Sequence, residues 1–122
     1  MKKILPKLID SFADRRGVLY VIDNLSQLIP FTPKRLYFIK APISSKRGQH
    51  SHKTLEQFFI LIEGKAEMKI SKHGEEDSVI EFSIPGHFFY LASGYYREII
   101  FSHNTILLVL ASLEYDELDY LK

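Results

Sequence analysis

Apolar and aromatic residues recur along the chain in short runs: Val18 to Ile22, Leu36 to Ile39, Gln57 to Ile62, Ala66 to Ile70, Ser78 to Phe82, His87 to Leu91, Glu98 to Phe101 and Thr105 to Ala111. Each run is strand-length, rich in β-branched or aromatic side chains, and flanked by Gly, Pro, Ser, Asn or charged residues suited to turns. Gly64 separates two runs, Lys72-His73-Gly74-Glu75 suits a hairpin turn, and Pro85-Gly86 and Ser102-His103-Asn104 suit two more. About eight strands at this regular spacing predict an all-β sandwich or barrel. Only the tail from Glu114 to Leu121 suits a short helical turn, with its acidic residues placed early as a helix N-terminus prefers. The run Thr105 to Ala111 is apolar on both faces and is expected to be buried on both sides.

The 122 residues fit a single domain covering 1–122, long enough to build one core. A net charge of +1, with no basic run longer than Lys2-Lys3 or Arg15-Arg16, argues against nucleic acid or an anionic membrane as partner and leaves a small molecule. Cysteine is absent, which removes thiolate nucleophiles and Cys-based zinc sites and is compatible with a reducing cytoplasm. Lys7, Asp10 and Asp14 interrupt any apolar leader, and no segment approaches the roughly 20 apolar residues of a membrane span, so a soluble, cytoplasmic protein is expected. Nine Phe and seven Tyr, among them Phe58-Phe59, Phe88-Phe89-Tyr90 and Tyr95-Tyr96, exceed what one small barrel interior holds, and the surplus is expected at a subunit interface.

The densest chemistry lies in Arg47-Gly48-Gln49-His50-Ser51-His52. In a strand, residues two apart share a face, so His50 and His52 present both imidazoles to one side, an arrangement that suits a metal or proton transfer. The spacing resembles the first motif of the cupin double-stranded β-helix, His-x-His, four residues, a carboxylate, six residues, Gly. Here Gln57 takes the carboxylate position and Gly64 the glycine. The second cupin motif corresponds to Ala92-Ser93-Gly94-Tyr95-Tyr96-Arg97, with Arg97 where the last histidine ligand belongs. A Gln amide is a poor ligand and a guanidinium offers no lone pair, so the expectation is no metal and an acid–base role for the histidines.

Beyond this spacing, Arg16-Gly17-x-Leu19, Ile29-Pro30-Phe31, Lys34-Arg35-Leu36-Tyr37, Arg47-Gly48-x-His50-x-His52-Lys53, Glu56-Gln57, Val109-Leu110-Ala111-Ser112 and Tyr115-Asp116-Glu117-x-Asp119-Tyr120 together resemble the nucleotide-sugar 3,4-ketoisomerases, from about Asp14 to Tyr120. The resemblance implies a homodimeric cupin jelly-roll barrel. Its substrate would be a dTDP-4-keto-6-deoxyhexose whose ketone moves from C4 to C3, without a cofactor, for 3-amino sugars of lipopolysaccharide or other surface glycans. Where family members carry Trp-His-Glu, this chain reads Tyr96-Arg97-Glu98.

Such a reaction needs a base for the proton α to the ketone, stabilisation of an enediolate, and proton delivery to the neighbouring carbon. His50 and His52 are expected to share these duties, in an order that alternation alone does not fix. Tyr37 is a candidate for proton transfer between the oxygens, or else a core or interface tyrosine. Arg97 is placed to stabilise the enediolate, or else to pair with Glu98. Arg16 and Arg47, each followed by Gly, are the expected diphosphate contacts, with Gln57 and Tyr96 as further substrate contacts. His73, His87 and His103 are read as structural or exposed. Two alternatives stand beside this one: a cupin epimerase acting on the same sugars, and a non-catalytic cupin that binds a sugar or nucleotide.

Overall fold

The computed structural model describes residues 1–121. Its strands are β1 (Lys2–Ile4), β2 (Lys7–Leu8), β3 (Asp10–Asp14), β4 (Gly17–Val21), β5 (Arg35–Ala41), β6 (Ser45–His52), β7 (Gln57–Glu63), β8 (Ala66–Ser71), β9 (Ser78–Phe82), β10 (His87–Leu91), β11 (Tyr96–Phe101), β12 (Thr105–Ala111) and β13 (Tyr120–Leu121). One helical turn, α1 (Leu25–Leu28), lies between β4 and β5. Six strands form one sheet in the order β1-β9-β8-β11-β6-β13, and five form a second in the order β2-β10-β7-β12-β5. From β5 onward the chain passes back and forth between the sheets, the connectivity of a jelly roll. Strands β3 and β4 form a separate hairpin.

The core fills the space between the two large sheets. Phe59, Leu61, Leu107 and Val109 from one meet Met68, Ile80, Phe82, Ile99 and Phe101 from the other. Alternation explains the choice of residues: β8 and β12 bury every second side chain, so one face enters the core and the other does not. The apolar run of β12 thus divides its faces, with Leu107 and Val109 fully buried and Ile106, Leu108 and Leu110 half-buried.

The rings Phe58 and Phe88 form a second cluster with Ile29 and Ile60, packed by Ile22 and Phe31 from the segments flanking α1 and by Ile9 from between β2 and β3. The expected C-terminal helical turn is a 3-10 turn at Glu117–Asp119, after which β13 pairs with β6, Tyr120 opposite His52. Pairing with β6 supplies the backbone partners that so short a helix lacks.

Two glycines shape the path toward the site. Gly64, at φ +82°, turns β7 into β8 where an added Cβ would collide with Thr105 Oγ1 and with the backbone of Asn104 and Thr105, so no other residue fits. Gly48, at φ +94°, sits in a bulge: Arg97 pairs with His50 but Ile99 pairs with Arg47, leaving an extra residue on β6.

Candidate active site

A cavity of about 400 Å³ is walled by β5, β6, β7 and β11 and by the tail residues Tyr115 and Tyr120. His50 and His52 both line it, as their alternation on β6 requires, with ring centroids 4.7 Å apart and planes nearly perpendicular. Tyr120 closes the cluster, 4.7 Å from His50 and 4.4 Å from His52. The Gly48 bulge explains a third member. Arg47 and His50 are three apart and would face opposite sides of a regular strand, yet both line the cavity because the extra residue resets the alternation.

Arg97 stands opposite His50 across the β6–β11 ladder and is 2% exposed. Its Nη2 reaches the carbonyl of Tyr95 at 3.4 Å, while Nε and Nη1 have no hydrogen-bond partner among the described residues. The expected alternative partner, Glu98, is taken by Lys46 at 2.7 Å. Burial pulls the Arg97 guanidinium down to about 10, so it remains a cation at neutral pH, held in a cavity wall without a carboxylate. Such a group is poised for an anion.

That charge also sets the state of the histidines. Burial first, and then Arg97, lower His50 below its ordinary value, and the same causes with His50 added bring His52 down to about 4. Both rings are therefore neutral at pH 7, each with a free lone pair. On the opposite wall, Gln57 Nε2 donates to the Tyr37 hydroxyl at 3.0 Å, and burial raises the Tyr37 phenol, keeping its proton in place. Glu56 faces the other way, accepting from the Tyr90 hydroxyl, and of the two neighbours it is Gln57 that lines the cavity. A divalent cation does not fit this donor set, in which an amide and a buried guanidinium replace two of the four ligands.

The cavity of this chain gathers His50, His52, Tyr37, Arg47, Arg97 and Gln57. It does not gather Arg16 or Tyr96. Arg16 sits at the β3–β4 turn, largely exposed and paired with Asp14 through Nη2 at 2.6 Å. Tyr96 precedes Arg97 on β11, so alternation turns it to the outside, where it is 40% exposed. The remaining histidines are as expected: His73 lies exposed in its hairpin turn, His103 is exposed, and His87 Nδ1 accepts from the backbone N–H groups of Ser83 and Ile84.

Arg35, Tyr115 and Tyr120 also line the cavity, none of them with a role in the expectations above. Tyr120 caps the histidines, and Arg35 lies with its guanidinium carbon 4.7 Å over the Tyr37 ring and 5.7 Å over the Tyr115 ring. The tail motif Tyr115 to Tyr120 was the available signal; its return to β6 depends on contacts more than sixty residues apart, which local pattern does not reveal.

Three comparisons bear on these features. A solved structure of QdtA, a sugar 3,4-ketoisomerase from Thermoanaerobacterium thermosaccharolyticum in complex with TDP, superposes with a TM-score of 0.81 at 34% identity, covering 93% of this chain and 83% of that one. A 3,4-ketoisomerase from Helicobacter canadensis does so with a TM-score of 0.80 at 37% identity, over 93% of this chain and 86% of that one. The TDP-4-oxo-6-deoxy-α-D-glucose 3,4-oxoisomerase of Aneurinibacillus thermoaerophilus is 35% identical over 118 residues, 95% of this chain and 81% of the relative. The barrel is thus the cupin-type fold of these sugar isomerases, and, with the model of the family described as "FdtA: WxcM-like, C-terminal" matching residues 3–122, this chain belongs to that family.

Proposed function

We propose that this protein is a nucleotide-sugar 3,4-ketoisomerase that moves the ketone of a TDP-linked 4-keto-6-deoxyhexose from C4 to C3 by acid–base chemistry. The observation that carries this reading is two neutral imidazoles, edge to face at 4.7 Å, in one cavity with an unpaired buried guanidinium. Relatives at 34–37% identity bear the names of such isomerases.

His50 is the carbon base. It is the less deeply buried ring of the pair, and its Nδ1 has no hydrogen-bond partner. It takes the C3 proton of the 4-ketone, and the electron pair moves to O4 as the C3–C4 double bond forms. Arg97 carries the resulting enediolate charge. Tyr37 gives its proton to O4 and recovers one from O3, after which protonated His50 delivers its proton to C4 and the ketone forms at C3. His52, neutral like its neighbour, accepts a hydrogen bond from a substrate hydroxyl and holds the sugar in place. Arg47 at the cavity mouth takes the diphosphate with its planar fork.

Arg16 and Tyr96 lie outside this chain's own cavity, and a homodimer gives Arg16 a place to act. The hairpin that carries it exposes Phe12, Val18, Leu19 and Tyr20, and β5 exposes Leu36 and Phe38, an apolar surface that a second copy would cover. A 3-ketone is what a transaminase needs, which supports a place in making 3-amino sugars; the setting proposed with it is the cytoplasm and the end product a surface glycan. Among the described residues no helix is long and apolar enough to cross a membrane.

Incubating chelator-treated protein with dTDP-4-keto-6-deoxyglucose and a 3-aminotransferase tests this reading. A 3-aminated product is expected. No product, or a product lost only on chelation, would end the metal-free isomerase reading.

A further inference from the structure

The tail segment that returns to β6 carries Asp119, 8% exposed and directly behind the histidine pair. Its Oδ1 accepts from Thr54 N at 3.0 Å and Thr54 Oγ1 at 2.6 Å, and its Oδ2 accepts from Leu55 N at 3.0 Å. Its own carbonyl accepts from Lys53 N at 2.7 Å. Three donors already hold the carboxylate, yet Oδ2 also lies 3.4 Å from His52 Nδ1. Burial works to raise Asp119, but the Thr54 and Leu55 hydrogen bonds outweigh it and keep the group lowered, so it is a carboxylate at neutral pH.

A neutral imidazole has one N–H and one lone pair, and the group facing each nitrogen decides which is where. A carboxylate only accepts. We infer that Asp119 is a positioning residue that holds His52 in the tautomer with its proton on Nδ1, leaving the Nε2 lone pair for the cavity.

The consequence is a division of labour between the two rings. His52 with a fixed tautomer offers its Nε2 lone pair to a substrate hydroxyl and holds it by a hydrogen bond, while His50, with no partner at Nδ1, is free to work at carbon. The other groups facing His52 reinforce the choice: Arg97 and His50 oppose its protonation, and Tyr120 packs against its ring. Because Asp119 also ties the turn after β6 to the tail, docking of the tail and the state of His52 are set by one side chain.

This inference rests on the isomerase reading for its catalytic consequence, but its primary test does not. Nitrogen-15 NMR of the imidazoles in the full chain at pH 7, with His52 assigned through His52→Gln, should show Nδ1 protonated and Nε2 bare. In Asp119→Asn, whose amide donates toward Nδ1, the tautomer should switch and kcat should fall by roughly 100-fold or more with KM little changed. Thr54→Val removes a hydrogen bond to the same carboxylate without touching His52, and should lower the melting temperature while keeping tautomer and kcat. A bare Nδ1 in the unaltered protein overturns the inference, even if Asp119→Asn fails to fold. So does an Asp119→Asn protein with unchanged tautomer and turnover. A switched tautomer in a protein with no isomerase activity would uphold the positioning and sink the isomerase reading alone.

Discussion

Arg97 and His50 stand directly opposite each other across the β6–β11 ladder, a buried cation facing a neutral base with no carboxylate between them. An uncompensated buried charge costs stability, and its retention in a cavity wall marks a site built for an anion. Arg97→Met should therefore leave the protein as stable or more so in denaturant unfolding, while turnover falls about 100-fold or more through loss of enediolate stabilisation. A large loss of stability with turnover retained would make Arg97 a structural residue.

His50→Asn and His52→Asn should each lower kcat by about two to four orders of magnitude, as loss of a positioned acid or base does. Steady-state rates on folded, melting-matched proteins check this. Near-normal rates in both would return the pair to a packing role.

Stability should depend on pH through His52. Its folded value of about 4 lies below the 6.5 of the unfolded chain, so the unfolded state takes up the proton first. The contribution is complete above pH 6.5 and is lost as pH falls toward 4. His50 and His87 are lowered as well and add to the same slope. His52→Gln should flatten, without abolishing, the fall in melting temperature across this window; Asp119 enters only at lower pH, below its unfolded value of 3.8. An unchanged slope in His52→Gln would contradict the assignment.

Tyr37→Phe removes the hydroxyl that accepts from Gln57 at 3.0 Å. If Tyr37 moves the proton between O4 and O3, the variant should still exchange the C3 hydrogen of the substrate with solvent while forming the 3-ketone at least ~100-fold more slowly. Exchange and ketone transfer lost together would place Tyr37 at the carbon step instead.

Phe38 on β5 is 63% exposed beside Leu36 at 60%, and Phe12 and Leu19 on the β3–β4 hairpin are exposed to similar degrees. Light scattering at micromolar concentration should give a dimer, and Phe38→Asp should weaken it. A monomeric unaltered protein would refute the dimer and with it the reason offered for Arg16.

Much of this fold was legible because most strands carry their own signal. Ser78–Phe82, His87–Leu91 and Thr105–Ala111 have the bounds that their apolar runs suggested, since aromatic and β-branched residues end there at turn-forming neighbours. Strands β1, β2 and β13 have two or three residues each and exist by pairing with distant partners, which leaves no local trace. Strand β6 is hidden for a different reason: its cavity face carries Arg47, His50 and His52 in place of apolar residues, so function erases the pattern. Within the site, the shared face of His50 and His52 followed from alternation. The same rule separates Tyr96 from Arg97, and it was the Gly48 bulge that allowed Arg47 to join from an odd spacing.

The position of the ketone after turnover tests the central claim most directly. Substrate dTDP-4-keto-6-deoxyglucose labelled with carbon-13 in the hexose, incubated with the protein alone and followed by NMR, should lose its C4 carbonyl signal and gain one at C3. A carbonyl that stays at C4 while C3 or C5 takes up solvent deuterium would show an epimerase, and an unaltered sugar would show a binding protein; either result contradicts the isomerase.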